Sequence, residues 1–262
     1  MNKRKTLAFL SDEIVYEYHA QVLHGIVDQA RDMGVNIIVY PGYSINAPVE
    51  PAKHANQIYE FLDSHRVDGV LSLNASLLSF LGPAEKGAYF DRITKGLPAV
   101  SIGVEFPGHQ SITVNNFDGM YQVVAHLVRQ HGYKKVAFIG GPSSNTEAVA
   151  RYSAYQKALQ DSGAPEDPQL YFEGDFTPPS AVRGIKELLD VRRVSFDVVV
   201  CATDSMAFEV MRELENRDMS VPSDVAVTGF DNVEYANVSA PPLTTVRQPM
   251  YDVGRRAVTE LV

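Results

Sequence analysis

The 262-residue chain has little of several things that would commit it to a chemistry. Its one cysteine, Cys201, sits in the apolar run "DVVVCA" without a partner, which excludes disulfides and cysteine-rich metal sites and fits a reducing cytoplasm. There is no apolar run of about 18 residues or more, the length needed to span a bilayer, so no membrane partner is expected. The N-terminus, "MNKRKTLAFL", has a basic start but a short apolar run before Ser11-Asp12-Glu13, too little for a signal-peptide core, so export is not expected. Basic residues are in deficit: 23 Lys and Arg stand against 32 Asp and Glu, a net charge of -9. That is the wrong sign for a surface that releases counterions from nucleic acid, and the one basic cluster, Lys3-Arg4-Lys5, reads as a solvated terminus. No low-complexity stretch or short-period repeat appears.

Enzyme signatures are also missing. The chain has no G-x-x-x-x-G-K-[ST] phosphate loop, no G-x-G-x-x-G dinucleotide fingerprint, no G-x-S-x-G elbow and no H-E-x-x-H zinc helix, so neither a cofactor nor a metal is expected. The seven histidines are scattered, and His19 and His24, five apart, do not share a helix face as ligands four apart would. The loop "GGPSS" precedes a helix and has the form of an anion site, but no lysine follows it. Asp204 or Asp231 with His109 is the best acid-base set available, and we expect no enzyme.

What is present is an apolar content of 45% with charged residues at 21%, ordinary for a globular protein. Short β-branched runs alternate with amphipathic segments. "TLAFL" at 6–10, "VNIIVY" at 35–40, "DGVLSL" at 68–73 and "PAVSI" at 98–102 read as strands. A helix between the first two carries Val22, Leu23, Ile26, Val27, Ala30 and Met33 at helical spacing and stops at Gly34; a second fits 52–65. After "SITV" at 111–114 the pattern restarts, with a helix through Met120 and Val124 to Gly132, then "KVAFIG", a helix bearing Arg151, "QLYFEG", a helix near 180–190, "DVVVCA", a helix over 205–217 and "DVAVTGF" at 224–230. Pro241-Pro242 ends any helix there, "LTTVRQ" is extended, and a last helix begins at Met250. Continuous apolar strands imply parallel sheets covered on both faces, hence an α/β protein with two doubly wound domains joined near 103–115.

In such sheets ligands bind beyond the carboxyl ends of the strands, which points to Ser11-Asp12, Gly141 to Asn145, Thr203-Asp204 and Asp231-Asn232. Ser144 with Glu147 fits a capping box, and Asp204 fits an N-cap. Arg151 is the puzzle. On a helix opening in "GGPSSNTEAVARYSAY" it shares a face with Ala148, Ala154, Tyr155 and Ala158, and a guanidinium there needs acceptors. Asp231, after a buried strand with no clear helix following, is a candidate partner.

The order "FIGGPSSNTEAVARYSAY", "EGDF", "VVVCATDSMAFEVMREL" and "VPSDVAVTGFDNVEYANVSAPPLTTVRQP" closely resembles the effector-binding core of LacI/GalR-type transcriptional regulators, over nearly the whole chain. The "DVAVTGFD" strand followed by "PPLTTVRQP" is the most specific part. The resemblance implies the periplasmic-binding-protein type I fold, with two doubly wound parallel-sheet subdomains, 5–103 with 248–262 and 115–246, joined by a three-stranded hinge near 102–104, 114–116 and 246–248. It also implies a cytoplasmic homodimer that holds a small polar effector, often a sugar or nucleobase, in a cleft whose closure is the signal. By position in the motifs, Arg151 corresponds to the family arginine that bonds the ligand and Asp231 to the carboxylate facing it. Phe176 corresponds to the stacking aromatic, Thr203 stands where Asn is frequent, and Tyr16 and Tyr18 stand where apolar groups close over the ligand. Gly103 stands where a polar residue, commonly Asp, is usual. If closure over a bound ligand is the signal, Arg151→Ala is expected to abolish ligand-induced thermal stabilisation while leaving the fold intact. Nothing in the sequence plays the part of the family's basic helix-turn-helix, so DNA would be contacted only through a domain outside this chain. Val262 falls inside a helical pattern, so we expect a truncated C-terminus. Two other architectures fit the same residues: an N-terminal sensor of a histidine kinase, diguanylate cyclase or other fused regulator, and a free solute-binding protein of a transporter.

Overall fold

The computed structural model describes residues 4–262; Lys3 of the basic cluster lies outside that range. Within it, Arg4 and Lys5 are exposed, and Lys5 donates from Nζ to the Val262 carbonyl at 2.9 Å. The chain divides into two units, one formed by residues up to Val114 together with Pro249–Val262, the other by Asn115–Gln248. Between Ile102 and Gln110 the backbone turns through Gly103 and Gly108, both at positive φ where a side chain is disfavoured.

In the first unit the apolar runs become strands β1 (Thr6–Ser11), β2 (Asn36–Pro41), β3 (Gly69–Leu73), β4 (Ala99–Ile102) and β5 (Gln110–Ile112), all parallel, in the order β2-β1-β3-β4-β5. Helices α1 (Glu17–Asp32), α2 (Glu50–Ala55), α3 (Asn74–Leu77) and α4 (Pro83–Thr94) lie between them. β1 shows why the run is unbroken. Leu7 and Phe9 face a core cluster with Val22 and Ile26 of α1, whereas Ala8 and Leu10 face another with Tyr59, Phe90 and Ile93. A strand covered on both sides needs apolar residues at every position. β2, at the sheet edge, is covered less and alternates half-buried with exposed positions.

In the second unit α5 (Asn116–His131), β6 (Val136–Ile139), α6 (Thr146–Ser162), β7 (Tyr171–Phe172), α7 (Pro178–Lys186), β8 (Val198–Cys201), α8 (Asp204–Glu215), β9 (Ala226–Thr228) and α9 (Glu234–Val238) give a parallel sheet in the order β7-β6-β8-β9. β6, β8 and β9 are fully buried, and Cys201 lies in this core with its thiol pushed far up by burial and Asp204.

Several local readings differ in detail. The helix expected over 52–65 is α2 followed by a 3₁₀ turn over 56–61. The expected joint near 103–115 contains a strand of the first sheet, β5, which pairs with β4. α4, which periodicity did not single out, starts with Pro83 after Gly82, whose N–H donates to Glu85 at 3.0 Å.

The chain returns to the first unit as α10 (Met250–Leu261), which packs along α1. Two glycines permit this. A Cβ on Gly25 would stand 2.0 Å from the Tyr251 carbonyl oxygen, and one on Gly254 would stand 2.2 Å from that of Val22. Both clashes are with backbone, which cannot swing aside. Gly254→Ala is therefore expected to destabilise the protein by about 1–3 kcal/mol or more, read as a lower urea midpoint; an unchanged midpoint contradicts this packing.

Candidate functional site

The residues singled out by sequence collect at the carboxyl ends of the two sheets, where the strands stop and helix N-termini begin. In the second unit Arg151 sits in the second turn of α6 and is 2% exposed. Its Nε donates to Asn116 Oδ1 at 2.8 Å, Nη1 to the Ala202 carbonyl at 2.6 Å and Nη2 to Glu147 Oε2 at 3.3 Å. The guanidinium lies over the Phe230 ring at 4.0 Å and also faces Phe176 at 5.6 Å. A guanidinium has five N–H groups. Three are matched, leaving one on each terminal nitrogen without an acceptor among the described residues.

This corrects two local readings. The cap of α6 is Asn145, whose Oδ1 accepts from the amides of Glu147 and Ala148 at 2.9 and 3.0 Å, rather than Ser144. With the cap one residue later, Glu147 falls outside the capping-box position and meets Arg151 one turn on. The ion partner of Arg151 is thus Glu147 and not Asp231. Burial pushes the Glu147 carboxyl up against the pull of Arg151. Likewise Thr203, not Asp204, caps α8, accepting from the Met206 amide at 3.3 Å. Asp204 is fully buried and accepts from Thr245 Oγ1 at 2.5 Å and the Val233 amide at 2.9 Å, tying the start of α8 to the segment after β9.

Asp231 is half-buried at φ 136°, and Asn232 follows at φ 57°. The chain holds Asp231 there by bonds from its amide to the Val246 carbonyl and from the Gln248 amide to its own carbonyl. Gln248 Nε2 donates to Asp231 Oδ1 at 2.6 Å. Burial pushes this carboxyl up to about 7; Arg151 and Gln248 pull it down, and Asp204 adds to the rise. Phe176 also has positive φ, 64°, with its ring against Gly141. Phe176 and Asp231 follow the two outer strands, β7 and β9, at the carboxyl end of the sheet, and both hold backbone conformations that L side chains rarely adopt. In the loop "GGPSS" the Ser143 amide donates to Glu173 Oε1 at 2.7 Å, so that amide is already engaged by a carboxylate.

In the first unit the turn after β1 is held by charges. His19 Nε2 lies 3.2 Å from both Asp12 Oδ1 and Ser76 Oγ, and Nδ1 lies 2.7 Å from Glu13 Oε1. Ser76 and Ser44 donate to Asp12 at 2.5 and 3.0 Å. The Glu13 carboxylate also accepts from the Val15 and Tyr16 amides. Burial alone would lower the His19 pKa, but Asp12 and Glu13 hold it up to about 9; His19 and the two serines in turn keep Asp12 below its usual value despite burial. The network pins a turn that presents Val15, 85% exposed, and Tyr16, 63% exposed. Tyr18 packs against the core with its ring edge-on to His19. No sequence signal singled out His19 or Ser76, since their pairing joins residues 57 apart. His109 is bonded to Asp91 at 2.8 Å and stacked edge-on against Phe90, within the first unit.

Among the described residues no group of three or more His, Cys, Asp or Glu could hold a metal, and no helix is long and apolar enough to cross a membrane. A family model described as a periplasmic binding protein-like domain matches residues 124–262. The chain is 29% identical over 265 residues to the HTH-type transcriptional regulator RegA of Clostridium saccharobutylicum, covering 99% of this chain and 75% of that protein. It is 26% identical over 268 residues to the HTH-type transcriptional repressor CytR of Escherichia coli K12, covering 100% and 73%. A solved structure described as a transcriptional regulator CelR–cellobiose complex superposes with a TM-score of 0.82 at 28% identity, covering 100% of this chain and 78% of that one.

Two outcomes follow from these contacts. Arg151→Ala strands the Glu147 carboxylate in the interior and is expected to cost about 3–5 kcal/mol of stability, so the variant should be less stable than the sequence-based expectation of a spared fold supposes. Urea denaturation is expected to show that loss and a partial recovery on adding Glu147→Gln; wild-type stability in Arg151→Ala contradicts it. For His19 the folded pKa is raised above the unfolded value of about 6.5. Its network therefore contributes fully below about pH 6.5 and fades as the pH rises through about 9. Thermal melts should lose more stability over that window in wild type than in His19→Gln; parallel curves contradict the network.

Proposed function

We propose that the chain, which belongs to the periplasmic binding protein-like domain family and is of LacI type, senses a small polar effector for a transcriptional regulator through the sheet edge built around Arg151 and Asp231. The observation that carries this reading is the guanidinium itself. It is fixed on three sides by Asn116, Ala202 and Glu147, backed by Phe230, and keeps one N–H on each terminal nitrogen for another acceptor. A preorganised donor pair beside an aromatic face is the arrangement that reads hydroxyl or carbonyl oxygens of a sugar or nucleoside. Phe176 supplies the flat apolar surface, Thr203 a hydroxyl at the start of α8, and Asp231 an acceptor or donor according to its protonation.

The relatives are regulators rather than enzymes, and this site contains fixed hydrogen-bonding groups without an activated nucleophile. We read it as non-catalytic. Binding of DNA would come through a segment outside these residues, consistent with the names of the relatives and with a net charge of -9. A cytoplasmic homodimer is the assembly we propose. Effector occupancy is the signal, and it can act only through a difference in affinity between two states of the protein.

The test is a thermal-shift screen with monosaccharides, disaccharides including cellobiose, and nucleosides. A ligand present at one hundred times its Kd adds about 2.7 kcal/mol, a shift of several degrees. Asp231→Asn and Phe176→Ala are each expected to lose most of that shift while melting near wild type without ligand. Equal shifts in wild type and both variants would overturn the site.

A further inference from the structure

Outside this site, α5 ends in an arrangement that the effector reading does not use. We infer that His126 and His131 form a two-histidine chelating site for a divalent transition metal that prefers nitrogen ligands, such as Zn²⁺ or Ni²⁺. Their Nε2 atoms lie 3.1 Å apart, with ring centroids at 4.9 Å and planes at 79°. For metal–nitrogen bonds of about 2.0–2.1 Å, two ligands at an octahedral right angle stand about 2.9 Å apart and two at a tetrahedral angle about 3.3–3.4 Å apart. The observed separation falls between these values, so both nitrogens can bind one ion with little movement.

The spacing hides this pair in the sequence. Five residues apart is the separation that ruled out His19 and His24 on a regular helix face. His131 is the last residue of α5, and Gly132 beyond it turns left-handed at φ 73°. Tyr133, carried back by that turn, stacks on the His131 ring at 5.5 Å and 14°, which orients it. The terminal carbonyls of α5 make this the negative end of the helix, favourable to a cation. The nearest cation on the helix, Arg129, is engaged elsewhere, donating to Ser162, Tyr121 and the Asp161 carbonyl. Both histidines are exposed, so an ion can reach them without opening the fold.

Neutral imidazoles in direct contact share one Nε2–H between two nitrogens. On binding, that hydrogen moves to the Nδ1 of its own ring, and the metal takes both Nε2 lone pairs. Because no third His, Cys, Asp or Glu joins them among the described residues, the remaining coordination positions are left to water.

Tag-free full-length chain titrated with Zn²⁺ by calorimetry tests this. We expect one site per chain, with affinity lowered roughly tenfold or more in His126→Gln and in His131→Gln. His65→Gln, an exposed histidine of the first unit, should leave affinity unchanged. Circular dichroism melts establish that the variants are folded, and imidazole NMR of the wild type should show both Nε2 resonances shifting together with Zn²⁺. No saturable Zn²⁺ binding, or wild-type affinity in both histidine variants, would show that the contact is a hydrogen bond only and overturn the site.

Discussion

The burial of one guanidinium organises the second unit. Arg151 cannot shed its charge, so its place on an apolar helix face requires acceptors brought from three directions: Asn116 at the start of α5, the Ala202 carbonyl beyond β8, and Glu147 one turn earlier on α6. Each acceptor fixes an element end. The start of α5, the turn after β8 and the first turn of α6 are registered against one planar group, and that registration builds the proposed site. Phe230 beneath the guanidinium joins the turn after β9 to the same point.

The neighbouring carboxylates divide the remaining work. Asp204 is spent structurally, joining α8 to Val233 and Thr245, and its negative charge helps to keep Asp231 near neutral. Asp231 in turn is held by Gln248, the last residue of its unit. The first unit solves the same problem with an opposite sign. There a histidine is kept cationic by two carboxylates, and the resulting salt network pins an otherwise exposed turn bearing Tyr16. In both cases a charge that is costly to bury is retained because it fixes where side chains at a sheet edge stand.

The alternation of strands and helices was legible because a strand covered on both faces, such as β1 or β8, must be apolar throughout. The edge strand β2 and the broken helix after Glu50 were read too simply, since period and propensity carry no information about which face a neighbour covers. At the site, sequence spacing put Arg151 on the right face but misassigned its partner. A capping box and an ion pair use the same Glu147, and a shift of the cap from Ser144 to Asn145 decides between them. The Asp12–His19–Ser76 network and the His126–His131 contact were invisible for a different reason. Both depend on where the chain turns back, at α3 and at Gly132, and local patterns do not specify that closure.

We propose that the two unmatched N–H groups of Arg151 are the protein's ligand-reading donors. A crystal structure with whichever sugar or nucleoside gives the largest thermal shift tests it most directly. A ligand oxygen hydrogen-bonded to Nη1 or Nη2 of Arg151 is expected, with the ligand's flat face against Phe176. A ligand seated elsewhere, with Arg151 still bonded only to Asn116, Ala202 and Glu147, would contradict it.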